Sequence, residues 1–190
     1  MQGRTLCAPG PNTPSRPFIP PPFLARMQIR EAKSDDAAGI AAVIHAMAEI
    51  RSVAEQPIET TARTIASNLA RTVRSQSSTA YVAEEAGGRI VGYGAVHWVP
   101  FLFLPGGEAY VTELFVRPAD AGRGAGSKLL DTIVLEAKRR GCARVSLLNG
   151  RNVESYRRNF YKARGWVERD GMANFVLTLP KEGSPPTEPR

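Results

Sequence analysis

Apolar residues recur along this chain with two different periods, and the switches between them mark its elements. MQIREA, starting at Met27, alternates apolar and polar positions like a short strand. Ser34, Asp35 and Asp36 can cap a following helix that carries Ile40, Val43, Ile44 and Met47 on one face. After Thr60 and Thr61, the spacing of Ala62, Ile65, Ala66, Leu69 and Val73 predicts a second helix. TAYVAEE and RIVGYGAVHWV flank Ala86, Gly87 and Gly88 and predict a β-hairpin; PFLFLPGG reads as a loop. AYVTELFV predicts a strand that runs into LFVRPADAGRGAGSKLL, residues 114–130. Beyond those glycines, Leu129, Leu130, Ile133, Val134 and Ala137 return at helical spacing. Lys138, Arg139 and Arg140 suit the carboxyl end of that helix, and Gly141 suits a left-handed cap. ARVSLL predicts a strand, VESYRRNFYKA a helix, and NFVLTL from Asn174 a last strand. The order β-α-α-β-β-β-α-β-α-β predicts an α/β fold, a mixed sheet with helices packed on it.

The flanks have another character. Residues 1–26 contain seven prolines and no acidic residue, too little apolar pattern to offset the entropy of ordering, so a disordered Pro-rich tail is expected there. This arginine-bearing, acid-free stretch has the composition of an organelle transit peptide, but its prolines break an amphipathic helix; Met27 is an alternative start. Residues 181–190 read as a second disordered tail, leaving one domain over residues 27–180. With 190 residues, 43% of them hydrophobic, the chain can bury a substantial core.

The formal net charge is +7, of which Arg4, Arg16 and Arg26 carry three, leaving +4 for the remainder. Those charges are scattered, with no aromatic platform among them, which argues against nucleic acid as a partner. No run approaches the roughly 18 apolar residues of a membrane span. The only cysteines, Cys7 and Cys142, support neither a disulfide framework nor a metal site, which fits a reducing cytoplasm.

The glycine loop admits three readings: a flexible turn, a nucleotide phosphate cradle, or a cradle for the pyrophosphate of a larger cofactor. A P-loop needs Gly-Lys-Ser/Thr, whereas Ser127 separates Gly126 from Lys128. The dinucleotide fingerprint needs G-x-G-x-x-G, whereas Gly122, Gly124 and Gly126 fall at every second position. What remains is a strand, a short loop and a helix amino terminus, where backbone N–H groups can approach an anion.

The string V-x-P-x-x-x-G-R-G-A-G-S-x-L-L, residues 116–130, resembles the coenzyme A signature of the GNAT superfamily of N-acetyltransferases, and NFYKARGW, residues 159–166, resembles its second motif. ELFV, GSKLL and NFYKARG are similar to the spermidine/spermine acetyltransferase branch. The resemblance implies a single GNAT-like domain with a mixed, mostly antiparallel sheet. It implies acetyl-CoA as cosubstrate, with the pyrophosphate on Gly122, Arg123, Gly124, Ala125, Gly126 and Ser127. The pantetheine arm would run beside Leu114, Phe115 and Val116, with the Val116 amide facing the thioester carbonyl. Asn152 and Ser155 would bond the arm's amides. The family usually has Arg or Gln before the first loop glycine, where this chain has Ala121; Arg123 or Arg117 can restore part of that phosphate contact.

The implied activity is direct acetyl transfer to a primary amine of a small molecule or peptide. Tyr161, four positions before Gly165, matches the family's general acid. Glu113, the only carboxylate in AYVTELFV, can deprotonate an ammonium substrate. The branch's comparable glutamate falls at Thr112, and one step along a strand reverses the face, so Glu113 needs a bulge to serve. Otherwise it is structural. His45 reads as packing or surface and His97 as structural or lining the acceptor site, and two isolated histidines make a metal site improbable. A rival of another class is an acyl-CoA-binding regulatory or interaction module without turnover, which Ala121 and the shifted acid leave open. The family often dimerises; the sequence neither requires nor excludes a homodimer.

Overall fold

The computed structural model describes residues 27–47, 53, 55–177 and 179. The tails expected at residues 1–26 and 181–190 lie outside the described residues. The chain divides into two compact units, Met1–Leu147 and Leu148–Arg190.

The first unit is built on a five-stranded sheet whose spatial order follows the chain: β1 (Gln28–Glu31), β2 (Ser78–Glu84), β3 (Ile90–Val99), β4 (Glu108–Val116) and β5 (Arg144–Leu147). β1 to β4 pair antiparallel, and β5 joins β4 in parallel. A parallel neighbour needs a crossover. Helix α3 (Ala125–Arg139) supplies it and buries Leu129, Leu130, Ile133 and Ala137. On one face of the sheet Leu129, Ile133 and Ala137 join Tyr81, Ala83, Val91, Val96, Ala109 and Val111. Gly94 lets α3 approach: a Cβ there would lie 3.2 Å from Ile133 Cδ1. As expected, Gly141 ends the helix with φ +73°.

The opposite face is covered by α1 (Ala37–His45) and α2 (Ile58–Ser75), where Ile40, Val43, Ile44 and Leu69 pack with Val82, Ile90 and Tyr93. Met47, expected on the apolar face of α1, lies beyond its end, and Val73 of α2 is exposed. Asp36 is the N-cap residue of α1, but its carboxylate makes no cap hydrogen bond to that helix. It accepts from both terminal nitrogens of Arg30 at 2.7 Å, while Arg30 Nε reaches Glu84, so one guanidinium ties β1, β2 and the start of α1. That hydrogen bonding holds the Asp36 carboxyl below its ordinary range.

Among its described residues the second unit holds a single short α-helix, α4 (Glu154–Arg157). The longer helix expected from VESYRRNFYKA stops because Asn159 turns left-handed, φ +54°. Glu168 gathers this unit by accepting from Arg151 at 2.9 Å and from the Tyr156 hydroxyl at 3.1 Å, and by pairing with Lys162 at 3.0 Å. The last strand expected from Asn174 does not form: residues 174–177 carry no regular structure. A strand needs a partner for its backbone groups, and this unit contains none among its described residues. Phe175 is accordingly 92% exposed.

Candidate active site

β4 leads directly into the site. Its pairing with β5 ends at Val111 opposite Leu147, while its pairing with β3 continues to Val116. Residues 112–116 therefore have a strand partner on one side only, among the described residues. The Arg117 amide donates to Val91 O at 2.9 Å, toward β3. Alternation along the strand then turns the Val116 and Leu114 amides the other way, to the open edge. Such an edge can pair with an extended, amide-bearing ligand as it would with a strand. Leu114 and Val116 pack toward the α3 side, and Phe115 lies on the other face, its ring 5.7 Å from that of Tyr93.

After β4, the turn Pro118–Asp120 and Ala121 deliver the chain to the glycine loop. Gly122 and Gly124 have φ +79° and +87° and have nothing within 4 Å of where a Cβ would sit. Conformation is what demands glycine here. Gly124 is the N-cap of α3, whose first helical bond runs from the Lys128 amide to Gly124 O at 3.0 Å. The amides of Ala125 and Gly126 thus have no acceptor within the helix, and no acidic residue occupies its first turn. Ser127 belongs to the same turn. The loop fits a diphosphate: backbone donors without helical acceptors at the positive end of a fifteen-residue helix.

The arginines near the loop are otherwise engaged. Arg123 donates to Asp120 Oδ1 at 3.0 Å and pairs with Glu85 at 2.6 Å. Arg117 Nε lies 3.8 Å from Asp120 Oδ2. Arg123 and Arg117 thus face carboxylates rather than standing free to replace the phosphate contact that Ala121 lacks. Asp120, which the motif reading passes over, is buried at 3% exposure and also takes a bidentate grip from Arg89 at 2.9 and 3.0 Å. These bonds, Arg89 foremost, hold its carboxyl below the ordinary range. An acidic residue just before a basic glycine loop was the available signal.

The register of Glu113 is decided by a bulge. Glu113 stands opposite Ala95 and Val111 opposite Val96, so Thr112 is an extra residue in β4. Val111 stays on the α3 side, while Glu113 shares the other face with Phe115 and accepts a hydrogen bond from the Tyr93 hydroxyl at 2.6 Å. Burial first, and the Glu113 charge second, push the Tyr93 phenol far above its usual range. Tyr93 therefore stays a donor. His97 is exposed on β3, and His45 exchanges a 2.9 Å hydrogen bond with Thr61 between α1 and α2, a packing role. Among the described residues no group of three or more His, Cys, Asp or Glu could hold a metal ion, and no helix is long and apolar enough to cross a membrane.

In the second unit, Tyr161 meets Phe160 edge-on at 4.9 Å and Trp166 at 5.8 Å, with Gly165 in the left-handed turn between. Burial raises its phenol above the ordinary value. Ser155 donates to Asn149 Oδ1 at 2.9 Å, and Asn152 is exposed.

Known proteins resemble this chain in sequence and in fold. Among curated relatives, thialysine N-epsilon-acetyltransferase of Bos taurus is 26% identical over 155 residues, covering 75% of this chain and 91% of the relative; that of Mus musculus is 24% identical over 160 residues, covering 80% and 92%. Among solved structures, a transcriptional regulator from Bacillus halodurans C-125 superposes with a TM-score of 0.70 at 22% identity, covering 81% of this chain and all of that one. An acetyltransferase from Clostridium acetobutylicum, crystallised with acetyl-CoA, gives 0.60 at 18% identity, covering 80% and 97%. At these identities the solved structures establish the fold alone. A family model, "Acetyltransferase (GNAT) family", matches residues 44–166, the stretch that contains the open strand edge, the glycine loop and the Tyr161 motif, and this chain belongs to that family.

Proposed function

We propose that this N-acetyltransferase moves an acetyl group from acetyl-CoA directly to the primary amine of a small molecule or peptide. The observation that carries this reading is the continuity of the open edge of β4 with the glycine loop at the start of α3. Together they fit one long ligand, an amide-bearing arm ending in a diphosphate. When bound, acetyl-CoA supplies the acetyl group as an activated thioester.

The chain's own residues do the rest. The Leu114 and Val116 amides would hold the arm, and that of Val116 would stabilise the oxyanion; loss of such a donor costs on the order of 3 kcal/mol in other enzymes. Backbone N–H groups from Gly122 to Ser127 would take the diphosphate. Glu113 would accept a proton from the acceptor's ammonium on a carboxylate that the Tyr93 hydroxyl orients. Tyr161 is assigned the proton donor's part by its motif position. Its raised phenol keeps the proton at neutral pH, as that part requires. Asn152 and Ser155 would bond the arm's amides, with Ser155 using the oxygen that now donates to Asn149. Acetylation of thialysine by the curated relatives supports a primary amine on a small molecule as the acceptor.

The test is release of coenzyme A thiol from acetyl-CoA with a panel of polyamines, amino acids, aminoglycosides and peptides. Amine-dependent release is expected. Calorimetric binding of coenzyme A with no release from any acceptor would replace this reading with that of a binding module, and absence of binding would overturn both.

A further inference from the structure

The buried carboxylate of Asp120 sits where no anion-binding loop should want one. It lies two residues before Gly122, its side chain 4% exposed, so a negative charge is fixed beside a loop that would receive a diphosphate. By charge alone it opposes binding. Its partners supply a reason for its presence. Arg89, from the β2–β3 hairpin, grips both oxygens at 2.9 and 3.0 Å. Arg123, inside the loop, donates to Oδ1 at 3.0 Å, and Arg117, at the end of β4, stands 3.8 Å away. Glu85 pairs with Arg89 and Arg123, closing a circuit of two guanidiniums and two carboxylates with Arg117 beside it. Ahead of buried Ala125, packing does little to fix the loop, since an added Cβ at Gly122 or Gly124 would meet nothing within 4 Å. Its one long side chain, Arg123, is tied to the sheet through this circuit.

We infer that Asp120 is a positioning residue that pins the glycine loop to the β2–β3 hairpin in its diphosphate-receiving conformation. Resting on the function proposed above, this assigns a role to a side chain that touches no substrate. Preorganising the loop spares the ligand the entropy of ordering it, which outweighs the repulsion of one neutralised carboxylate.

The two effects of Asp120→Asn have opposite signs, which makes the experiment decisive. Removing only a repulsive charge tightens coenzyme A, whereas releasing the pin weakens it. Calorimetry on the full chain should show coenzyme A bound about ten-fold more weakly by Asp120→Asn, the size of a lost charge-assisted hydrogen bond. Turnover of acetyl-pantetheine, which lacks the phosphates, should keep its kcat/KM, while that of acetyl-CoA falls. Arg89→Gln, at a side chain 45% exposed on the hairpin, should weaken coenzyme A in the same direction, and the double variant should lose less than the two single losses combined. Should Asp120→Asn not fold, Glu85→Gln carries the same test, because it too removes a negative charge while opening the circuit. Unchanged or tighter coenzyme A, or equal losses with both acetyl donors, would overturn the inference. A wild-type chain that binds no coenzyme A is a separate result: it removes the proposed function, and this role with it.

Discussion

Replacing Gly122 by alanine isolates what the glycine loop contributes, because the structure removes the usual confounding cause. Nothing lies within 4 Å of the added Cβ, so no collision contributes; only φ +79° does. A left-handed backbone costs an L-residue about 1–2 kcal/mol. The reduced freedom of alanine in the unfolded chain offsets about 0.4–1 kcal/mol of that. The net destabilisation is about 1 kcal/mol, equivalent to a fall in Tm of about 2–4 °C in a chain of this size. The loop has one alternative. It can relax to negative φ, which spares the free protein but turns the amides away from their anion-receiving directions. Binding must then restore the strained form, and Kd for coenzyme A rises about 5- to 30-fold. Thermal unfolding without ligand and calorimetry with coenzyme A together cover both routes. If Gly122→Ala alters neither Tm nor Kd, the loop does not need its left-handed glycine and the cradle assigned to it is wrong.

Tyr93→Phe removes the hydroxyl that orients Glu113 at 2.6 Å and leaves the glycine loop untouched. Amine turnover should fall by about ten-fold, while calorimetric affinity for coenzyme A stays within two-fold, roughly the value of one charge-assisted hydrogen bond. A parallel loss of coenzyme A affinity would show that Glu113 does not act at the acceptor. On the acid side, hydrogen bonds from Arg139 and then Arg140 lower Glu136 from 4.5 to about 2. A depressed carboxyl contributes stability above its unfolded value and loses it as pH falls. Urea midpoints of Glu136→Gln should therefore change less than wild type between pH 4.5 and about 2, and identical slopes would contradict the pairing.

The elements with the clearest period were legible from sequence, and for a physical reason. In α3, Leu129, Leu130, Ile133 and Ala137 must all face one sheet, and the arginines and Gly141 that end it act locally. Glu113 is a harder case. Its face depends on Thr112 standing out of register with β3, a pairing property that the alternation of AYVTELFV does not contain. Asn159 is similar, because a left-handed asparagine inside an otherwise helical pattern has no periodic signature. NFVLTL has the residues of a strand, but among the described residues 174–177 find no strand neighbour, so composition overstated what this backbone could satisfy. The turn from β4 through the glycine loop into α3 was legible because the left-handed φ of Gly122 and Gly124 asks for that residue type. The charge circuit through Asp120 was invisible because Arg89 and Glu85 lie more than thirty residues earlier, on another hairpin.

The one-sided pairing of β4 also gives the strand an uneven solvent chemistry. Glu113, Phe115 and Arg117 turn their amides toward β3, where the bond from Arg117 to Val91 is 2.9 Å long. Leu114 and Val116 turn theirs to the edge where β5 has ended. In deuterated water, alternate residues of this one strand should exchange slowly and quickly, a comb-like pattern that a fully paired interior strand cannot show. A ligand laid along the edge fills the gaps in the comb. Val116 and Leu114 thus become reporters of occupancy at single-residue resolution, readable before any acceptor amine has been identified and without a single turnover.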